Sequence, residues 1–597
     1  MTNFKVPSDR KTEAKNRREL AAERAASRPQ AIQGNNQEER LEGFPGNFRK
    51  GLEHGADGFL VDDRDYQAYR CAILTGIPEN LDAVRTPPIE NRRRWESPTA
   101  GFVFDLEGPD AQAIAMPPAP TLNSPELAAE MAEVYAMAAL RDTPFANFDS
   151  ATSVNDWLGR LNGLSWFSCP YQQRPGREYE VDEIFGIKAG KNLGRGRGEV
   201  TVNNLFRGVT TGDDQGPFIS QFLLIGNQSL GSNAPENIKN KGKGEDCGSF
   251  CDWGVEAGKI LYGANTIDQR VRVATPGVDF MTDSTSWLAV QNGTDVRADF
   301  VFDYNSSDYT SKGPGDPNES CGPAYRFILT PRDLATYVHF DQLYQAYLNA
   351  CLIMLGRGVE FDPGFDGTFG RRGNNQEGFA QFGGPHILSL VTEVATRALK
   401  AVRYQKFNIH NRTRPETLGG LFERLRDGSS DPRLDPLRHT WETLNNNRIF
   451  EKPDNHYLPM AFPEGSPMHP AYGAGHATVA GACVTILKAF FDHEAVLIPP
   501  GYAYEADPET GGRTLKPVDN PALTVEGELN KLASNISIGR NMAGVHYFSD
   551  YLESIRLGEL IAIGILEEQA LMYDRLQFPF FMTVPLFDGG TVVIGTK

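Results

Sequence analysis

Histidines and fixed cations are concentrated in the C-terminal half of the chain. Of the ten histidines, only His54 precedes residue 339. In one segment of this half, Lys406 and Arg414 stand eight residues apart. Two fixed cations beside a helix end suit a multivalent oxyanion, because guanidinium and ammonium groups both donate strong hydrogen bonds to it. The sequence therefore predicts an anion site in this half.

The second segment of interest is a glycine-rich turn. Residues 469–476 read His-Pro-Ala-Tyr-Gly-Ala-Gly-His, and an apolar helix is predicted to follow from Ala477. The start of a helix leaves backbone N–H groups unpaired and carries the positive end of the helix dipole, so this turn favours an anion. His476 lies at its mouth, and histidine is a side chain suited to proton exchange with a bound oxyanion.

The third segment runs from Arg540 to Asp550. Arg540 ends one predicted helix, Gly544 permits a tight turn, and His546 begins the next helix. Asp550 follows His546 by one helical turn, so its carboxylate can orient the imidazole as a supporting partner.

Each segment also has an ordinary structural interpretation. Lone cations most often lie on a solvated face, and a lone histidine most often caps a helix or packs in a core. A glycine before a helix is a common helix start. The order of the three segments along one chain is much less expected by chance, and it is the order that indicates a site.

The elements that must position these segments are mostly helices. Ser124, followed by Pro and Glu, predicts a capped helix start, and its buried stripe is predicted to be Leu127, Met131, Val134 and Ala138. Beyond residue 331, apolar periodicity predicts helices over 333–355, 386–407, 477–491, 523–540 and 548–573. Residues 186–319 read as loops and short strands, and the runs around 588–590 predict a hairpin.

Composition excludes several classes of function. The 597 residues include 59 Lys plus Arg against 77 Asp plus Glu, a net charge of −18, which argues against binding to nucleic-acid phosphates. The sequence shows neither a membrane-spanning segment nor a secretory signal, so a cytoplasmic location is the default expectation. Seven cysteines are too few for a disulfide framework. Free thiols, one bridge or part of a metal site remain open for Cys247 and Cys251.

The three segments resemble the signature of the vanadium-dependent haloperoxidases and the related type 2 phosphatidic acid phosphatase superfamily. Residues 104–112, 390–400 and 541–546 also look like the red-algal bromoperoxidases, and the resemblance spans most of the chain after residue 100. It implies a mainly α fold of two packed four-helix bundles with long loops, short strands and a C-terminal hairpin. Residues 101–597 would form the haloperoxidase domain, with its active site in 386–573, and residues 1–100 an arm and loop region for oligomer contacts.

The resemblance implies vanadate as the cofactor. His546 would coordinate vanadium through one ring nitrogen. The vanadate oxygens would be neutralised by Lys406, Arg414, Arg540 and the backbone N–H of Gly475.

The resemblance also implies catalytic roles. His476 would be the acid/base group, and Lys406 would polarise the peroxide. His469 stands where the bromoperoxidases have a histidine and the fungal chloroperoxidase a phenylalanine, which favours bromide. Ala474 replaces the family's usual serine, so one hydrogen bond to a vanadate oxygen is expected to be missing.

The implied reaction is the oxidation of bromide by hydrogen peroxide to hypobromous acid, which halogenates small organic acceptors. An acid phosphatase with His546 as nucleophile is an alternative, because phosphate and vanadate share shape and charge. A non-catalytic oligomeric shell protein is a second alternative. No nucleic-acid or membrane partner is expected, and the chain is expected to form a homo-oligomer, with a dodecamer as one option.

A further segment, residues 361–377, aligns with a calcium-binding loop of the algal enzymes. The candidate ligands lie near Gly367, Phe369, Asn374 and Gln376. Asn374 stands where an acidic ligand would be expected. A calcium ion held by loop carbonyls and Gln376 and an unmetallated turn both remain open.

Overall fold

The computed structural model describes residues 9–168, 181–182, 186–187, 195–227, 257–303, 324–365, 378–573 and 581–595. Most of the regular structure in them is helical, so the mainly α prediction is confirmed. The α-helices are α1 (Arg10–Ser27), α2 (Asp63–Thr75), α3 (Pro78–Asp82), α4 (Pro125–Ala139), α5 (Thr152–Asn162), α6 (Ser165–Ser168), α7 (Ser284–Gln291), α8 (Pro331–Phe340), α9 (Gln345–Arg357), α10 (Gly384–Tyr404), α11 (Pro415–Arg426), α12 (Asp435–Asn446), α13 (Gly475–Phe490), α14 (Val525–Met542) and α15 (Phe548–Gln569).

The remaining elements are short. A π-helix spans Gln405–His410, and 3₁₀ helices span Glu38–Arg40, Pro98–Phe102, Phe145–Asn147, Gln221–Leu223, Arg297–Asp299, Pro363–Phe365, Pro432–Leu434, Pro508–Thr510 and Ala570–Met572. The strands are β1 (Val181–Asp182), β2 (Gly186–Ile187), β3 (Lys259–Tyr262), β4 (Asn265–Asp268), β5 (Val271–Arg272), β6 (Tyr325–Arg326), β7 (Val496–Ile498), β8 (Ala503–Ala506), β9 (Leu515–Val518), β10 (Leu523–Thr524), β11 (Phe581–Pro585) and β12 (Thr591–Gly595). They pair as antiparallel two-stranded ribbons: β1 with β2, β3 with β4, β5 with β6, β7 with β10, β8 with β9 and β11 with β12.

Helix α13 lies at the centre of the helical core. It packs against α10, α14 and α15, and every residue of it except His476 is buried. Two glycines allow its close approach to α15. A Cβ at Gly481 would lie 2.1 Å from the carbonyl oxygen of Ile555, and one at Gly558 would lie 2.1 Å from that of Thr478. The apolar, glycine-containing sequence of this helix therefore fits a position surrounded by other helices.

The predicted start of α4 is confirmed. The hydroxyl of Ser124 accepts a hydrogen bond from the backbone N–H of Leu127, and Pro125 occupies the first helical position. Leu127, Met131, Val134 and Ala138, the predicted stripe, are all buried.

The predicted single helix over 333–355 is wrong. The structure has two helices, α8 and α9, and Asp341 between them is extended, with φ −67° and ψ 151°. Apolar periodicity continues on both sides of the break, so the pattern did not reveal it. The carboxylate of Asp341 leaves the helix to lie 2.9 Å from Nε2 of His476, which makes the break part of the site.

Helix α1 has no buried residue. Arginines attach it to the end of the helical core: Arg17 donates to the carbonyl oxygen of Leu571 at 2.8 Å, and Arg24 to that of Glu567 at 2.7 Å. These cations lie at the C-terminal end of α15, where helix carbonyls lack partners and the helix dipole favours positive charge.

The predicted C-terminal hairpin is confirmed. Strands β11 and β12 pair from Phe581 opposite Gly595 to Pro585 opposite Thr591. The hairpin packs on α13, with Val584 fully buried. Within the described part of the chain, no helix combines the length and the apolar character that a membrane crossing requires.

Several predicted features lie outside the described residues. They are Cys247, Cys251 and the calcium-loop residues Gly367, Phe369, Asn374 and Gln376.

Candidate active site

The structure brings the three predicted segments together at one buried place. Their side chains come from the π-helix after α10, the turn before α11, the start of α13, the end of α14 and the turn before α15. The predicted residues that meet there are Lys406, Arg414, His469, Ala474, Gly475, His476, Arg540, His546 and Asp550.

Lys406 is fully buried on the π-helix that continues α10. Its ammonium group donates to the carbonyl oxygens of Pro470 and Ala471, at 2.9 and 3.1 Å. Burial lowers the pKa of Lys406 well below its ordinary value, and the neighbouring Arg414 lowers it further. A bound anion would oppose both effects, because it favours the charged ammonium.

Arg414 lies between two histidine rings. Its Nη1 is 3.0 Å from Nε2 of His546, and its Nη2 is 2.9 Å from Nδ1 of His469. Guanidinium nitrogens only donate hydrogen bonds, so both ring nitrogens accept and both rings are neutral in this arrangement. Burial lowers the pKa of Arg414 to about 9, and burial together with nearby cations holds the pKa values of both histidines well below 6.5.

His546 follows the tight turn at Gly544, whose φ of +88° lies in the region that favours glycine. Asp550 is four residues further on, in the first turn of α15, and its Oδ2 lies 2.8 Å from Nδ1 of His546. The structure therefore shows the predicted contact. It places the ring proton on Nδ1 and leaves Nε2 with a lone pair directed at the cations.

The start of α13 supplies backbone donors. Gly475 is its first residue, and Ala474 precedes it as an N-cap with no side-chain hydrogen bond to the helix. The backbone N–H of Ala474 donates to the hydroxyl of Ser554 at 2.7 Å. His476 is half-buried, and its Nε2 is held by Asp341, so Nδ1 is the nitrogen left for proton exchange.

Arg540 occupies the last turn of α14. Its Nη1 donates to the carbonyl oxygen of Val338 at 2.8 Å, and its Nε is buried without a hydrogen-bond partner. Its guanidinium also lies over the ring of Phe462, 5.7 Å from the centroid. Burial lowers the pKa of Arg540 to about 10. A bound anion would therefore favour its charged form.

Two residues near the anion turn were missed by sequence reasoning. Arg403 lies one helical turn before Lys406, and a Cβ at Gly475 would come within 3.1 Å of its Nη1, which has no hydrogen-bond partner. Its Nε donates to Glu96, whose Oε2 lies 3.4 Å from Nε2 of His469. The three-residue spacing from Lys406 was a usable signal for Arg403. No local sequence pattern indicated Glu96, because it comes from a distant loop.

A buried ion network behind His546 was missed as well. Arg412 contacts both Asp550 and Glu130, and it lies over the ring of Tyr547. Arg412 belongs to the segment between Lys406 and Arg414 that was singled out from the sequence, but Glu130 is on α4, nearly three hundred residues away.

The arrangement suits a tetrahedral oxyanion. Four buried cationic side chains converge near the start of α13, and two of them retain unpaired N–H groups. Buried cations are costly unless an anion neutralises them. Nε2 of His546, which accepts from Arg414 in this structure, can in addition bind a metal centre within that anion when Arg414 donates elsewhere.

Comparisons with known proteins agree with this geometry. Residues 437–573 match the family described as the VCPO second helical-bundle domain. The chain is 44% identical over 593 residues to a vanadium-dependent bromoperoxidase from Corallina pilulifera, a match that covers 92% of this chain and 91% of that protein. A vanadium-dependent bromoperoxidase from Ascophyllum nodosum is 30% identical over 609 residues, which cover 98% of this chain and 94% of that protein.

A solved structure shares the architecture. It is that of the second vanadate-dependent bromoperoxidase from Ascophyllum nodosum, described as homohexameric. The likeness covers 100% of this chain and 92% of that one, with a TM-score of 0.77 and 25% sequence identity.

Proposed function

The chain belongs to the vanadium-dependent bromoperoxidases, and from this premise we propose that it oxidises bromide with hydrogen peroxide to hypobromous acid. The hypobromous acid would then halogenate small organic acceptors. The cofactor we propose is vanadate, held where the three segments meet.

The observation that carries the proposal is a group of buried cations that retain unpaired N–H donors. Nη1 of Arg403 and Nε of Arg540 are buried without hydrogen-bond partners, and burial lowers the pKa values of Lys406 and Arg414. An oxyanion would give these groups acceptors and negative charge. The residues present therefore fit vanadate.

The chain's own residues hold this anion. We assign the binding of its oxygens to Lys406, Arg414, Arg540 and the backbone N–H of Gly475, and the bond to vanadium to Nε2 of His546. When bound, vanadate supplies Lewis acidity that activates hydrogen peroxide toward attack by bromide. Arg414 now donates to Nε2 of His546, so it must turn that N–H toward an anion oxygen when the histidine becomes a ligand.

His476 is the proposed acid/base group. Its Nε2 is fixed by Asp341 at 2.9 Å, so protons from peroxide are taken up and returned at Nδ1. Lys406 polarises the peroxide through its buried ammonium group. His469, held between Arg414 and Glu96, lies at the position that favours bromide.

The test is the bromination of a dye with hydrogen peroxide, with and without added vanadate. We expect activity that depends on both bromide and vanadate. Activity that is unchanged after vanadium has been removed and excess vanadate withheld would contradict the proposal.

The alternatives are not favoured. The curated relatives that match over most of the chain are named bromoperoxidases, and anion binding by itself is common to the phosphatases of the superfamily. In a non-catalytic shell protein the buried cations would have no anion to bind, which would be costly. A phosphatase would hydrolyse activated phosphate esters faster than it oxidises bromide, and a shell protein would do neither.

Calcium is a further proposed ligand, at the loop of Gly367, Phe369, Asn374 and Gln376. Support comes only from the resemblance to the calcium-binding loop of the algal enzymes. Removing calcium with a chelator should lower the melting temperature, because the ion would bind only the folded chain. An unchanged melting temperature would remove the site.

The assembly we propose is a homo-oligomer, with a dodecamer as one option for its size. Residues 1–100, the arm and loop region, would form contacts between subunits. Residues 101–597 would form the haloperoxidase domain of each subunit. In support, α1 buries no residue of its own, and Phe104 and Leu106 just beyond the arm are 82% and 98% exposed. Light scattering coupled to gel filtration measures the mass, and a monomer would contradict this assembly.

A further inference from the structure

The carboxylate that supports His546 is itself held from behind. Nη1 of Arg412 donates to Oδ1 of Asp550 at 2.8 Å, while Oδ2 of Asp550 faces Nδ1 of His546. Oδ2 also accepts from the backbone N–H of Tyr547 at 3.2 Å. Both oxygens of the carboxylate are therefore engaged, and its plane is fixed.

Arg412 is in turn fixed by a second carboxylate. Its Nη2 donates to Oε2 of Glu130 at 2.8 Å, and Oε1 of Glu130 accepts from the backbone N–H of Ser549 at 2.5 Å. The Arg412 guanidinium lies 3.7 Å from the ring centroid of Tyr547. Burial opposes the charge on Arg412, but Glu130 and Asp550 raise its pKa above the ordinary value. The guanidinium of Arg412 therefore stays charged.

We propose that Arg412, anchored by Glu130, is a positioning residue that holds the carboxylate of Asp550 with Oδ2 against Nδ1 of His546, so that Nε2 of His546 is directed at the vanadate site. The inference rests on the proposed function. Arg412 makes no described contact with His546 and reaches it through Asp550. Its contacts with the glycine-rich turn are a guanidinium over the ring of Tyr472, 5.9 Å from the centroid, and a backbone carbonyl that accepts from the N–H of Ala471 at 2.9 Å.

The fork geometry decides which replacement is informative. A guanidinium can donate to two carboxylates from different nitrogens, whereas the ammonium of lysine is a single point on a flexible stem. Arg412→Lys keeps the positive charge and removes the double contact. Asp550 can then rotate away, and the ring of His546 loses the partner that fixes its orientation.

Two probe anions separate this role from a general loosening of the site. Orthovanadate and inorganic phosphate have similar shape and charge, but only vanadium takes up a histidine nitrogen as an additional ligand. A defect that acts through His546 should weaken vanadate binding and spare phosphate binding. A distorted cation cage should weaken both anions together.

The experiment is calorimetric titration of the vanadium-free full-length protein with each anion. For Arg412→Lys we expect the vanadate Kd to rise by at least about tenfold, the range found when partners of metal-binding histidines are lost, and the phosphate Kd to stay within about threefold. Arg332→Lys is the matched control, because Arg332 is also buried between two carboxylates, Asp142 and Asp279. It should change neither Kd.

The outcomes are distinct. Equal weakening of both anions, or no weakening of vanadate, in Arg412→Lys would overturn the positioning role. If Arg412→Lys does not fold, Glu130→Gln decides, because it loosens the anchor of Arg412 and should lower the ratio of vanadate to phosphate affinity in the same direction. An unchanged ratio there would overturn the inference. A parent protein that does not prefer vanadate to phosphate would instead overturn the proposed function.

Discussion

Nδ1 of His546 lies 2.8 Å from Oδ2 of Asp550, across the first turn of helix α15. The contact fixes one tautomer of a histidine whose pKa is held well below 6.5 by burial and by neighbouring cations. The result is a neutral ring whose Nε2 lone pair accepts from Arg414 and faces further positive charges, an arrangement that suits a metal-containing anion.

The first prediction tests this tautomer. In Asp550→Asn, Arg412 still requires an oxygen acceptor, so the amide NH₂ group must face Nδ1 of His546. Nδ1 then accepts, and the ring proton moves to Nε2, where it blocks coordination. We expect the vanadate Kd to rise by about 10- to 100-fold. Titration calorimetry measures it, and a variant that binds vanadate like the parent would exclude a role for the tautomer.

The second prediction concerns Asp341 and His476. Asp341→Asn keeps the size of the side chain but removes the carboxylate that orients the imidazole through Nε2. Because proton transfer by a positioned side chain contributes about 10²–10⁴-fold to rate, we expect kcat to fall by at least about tenfold. The vanadium content should be unchanged by elemental analysis. A loss of vanadium equal to the loss of kcat would make Asp341 a binding residue instead.

The sequence predicted the centre of the site well because its residues lie in short segments. Lys406, Arg414, His476 and His546 could each be chosen from local spacing next to a helix end. The structure also shows the predicted contact between His546 and Asp550, although His546 lies before Tyr547, the extended N-cap of α15, and not on the helix itself.

The supporting residues were not predictable in the same way. Glu96 and Glu130 reach the site across hundreds of residues of chain, and no local pattern marks them. Asp341 was hidden inside a stretch whose periodicity favoured one continuous helix. The backbone of Asp341 is extended there and its carboxylate contacts His476, a tertiary contact that helix propensity does not record.

The third prediction uses Glu96. Its side chain is 39% exposed and accepts a hydrogen bond from Nε of Arg403. Its Oε2 lies 3.4 Å from Nε2 of His469, so its negative charge lies beside the proposed anion site. Glu96→Gln retains a hydrogen-bond acceptor for Arg403 and removes that charge. We expect the KM for bromide to fall about threefold, the size of a partly exposed charge interaction, and the KM for neutral hydrogen peroxide to stay the same.

Glu90→Gln is the control for this prediction, because Glu90 is exposed in the same loop region and should change neither constant. If the KM for bromide rises in Glu96→Gln, the carboxylate helps to bind the halide by orienting Arg403 and does not repel it.

The fourth prediction concerns pH and a histidine outside the site. Burial, reinforced by the charge of Arg49, lowers the pKa of His54 to about 3. Its stabilising contribution is fully present above the unfolded value of about 6.5. Below that value the unfolded chain binds a proton that His54 in the folded protein does not bind. The unfolding free energy therefore falls by about 1.4 kcal/mol for each pH unit.

His54→Gln should remove this dependence. Between pH 7 and pH 5 the parent should lose about 2 kcal/mol more unfolding free energy than the variant does. Denaturant titration at the two pH values gives the difference. Parallel losses in both proteins would show that His54 becomes protonated in the folded state.

The last prediction concerns Ala474, which caps helix α13 without a side-chain hydrogen bond. Serine is among the best N-cap residues, because its oxygen accepts from an unpaired N–H of the first turn, and gains of about 1 kcal/mol over alanine are typical. The hydroxyl proton of a serine at 474 would remain free to donate to an oxyanion held at Gly475. The backbone N–H of residue 474 is already taken by Ser554, so it does not compete for that oxygen.

Ala474→Ser should therefore have two separable effects. The melting temperature of the vanadium-free protein should rise because the helix is capped. The vanadate Kd should fall about tenfold, which is the lower part of the range for hydrogen bonds to charged groups. Ala474→Gly is the matched variant, since glycine is a tolerable N-cap that offers no hydroxyl. If serine raises the melting temperature but leaves the vanadate Kd equal to that of the glycine variant, the hydroxyl serves the helix alone, and the anion oxygen already has another donor.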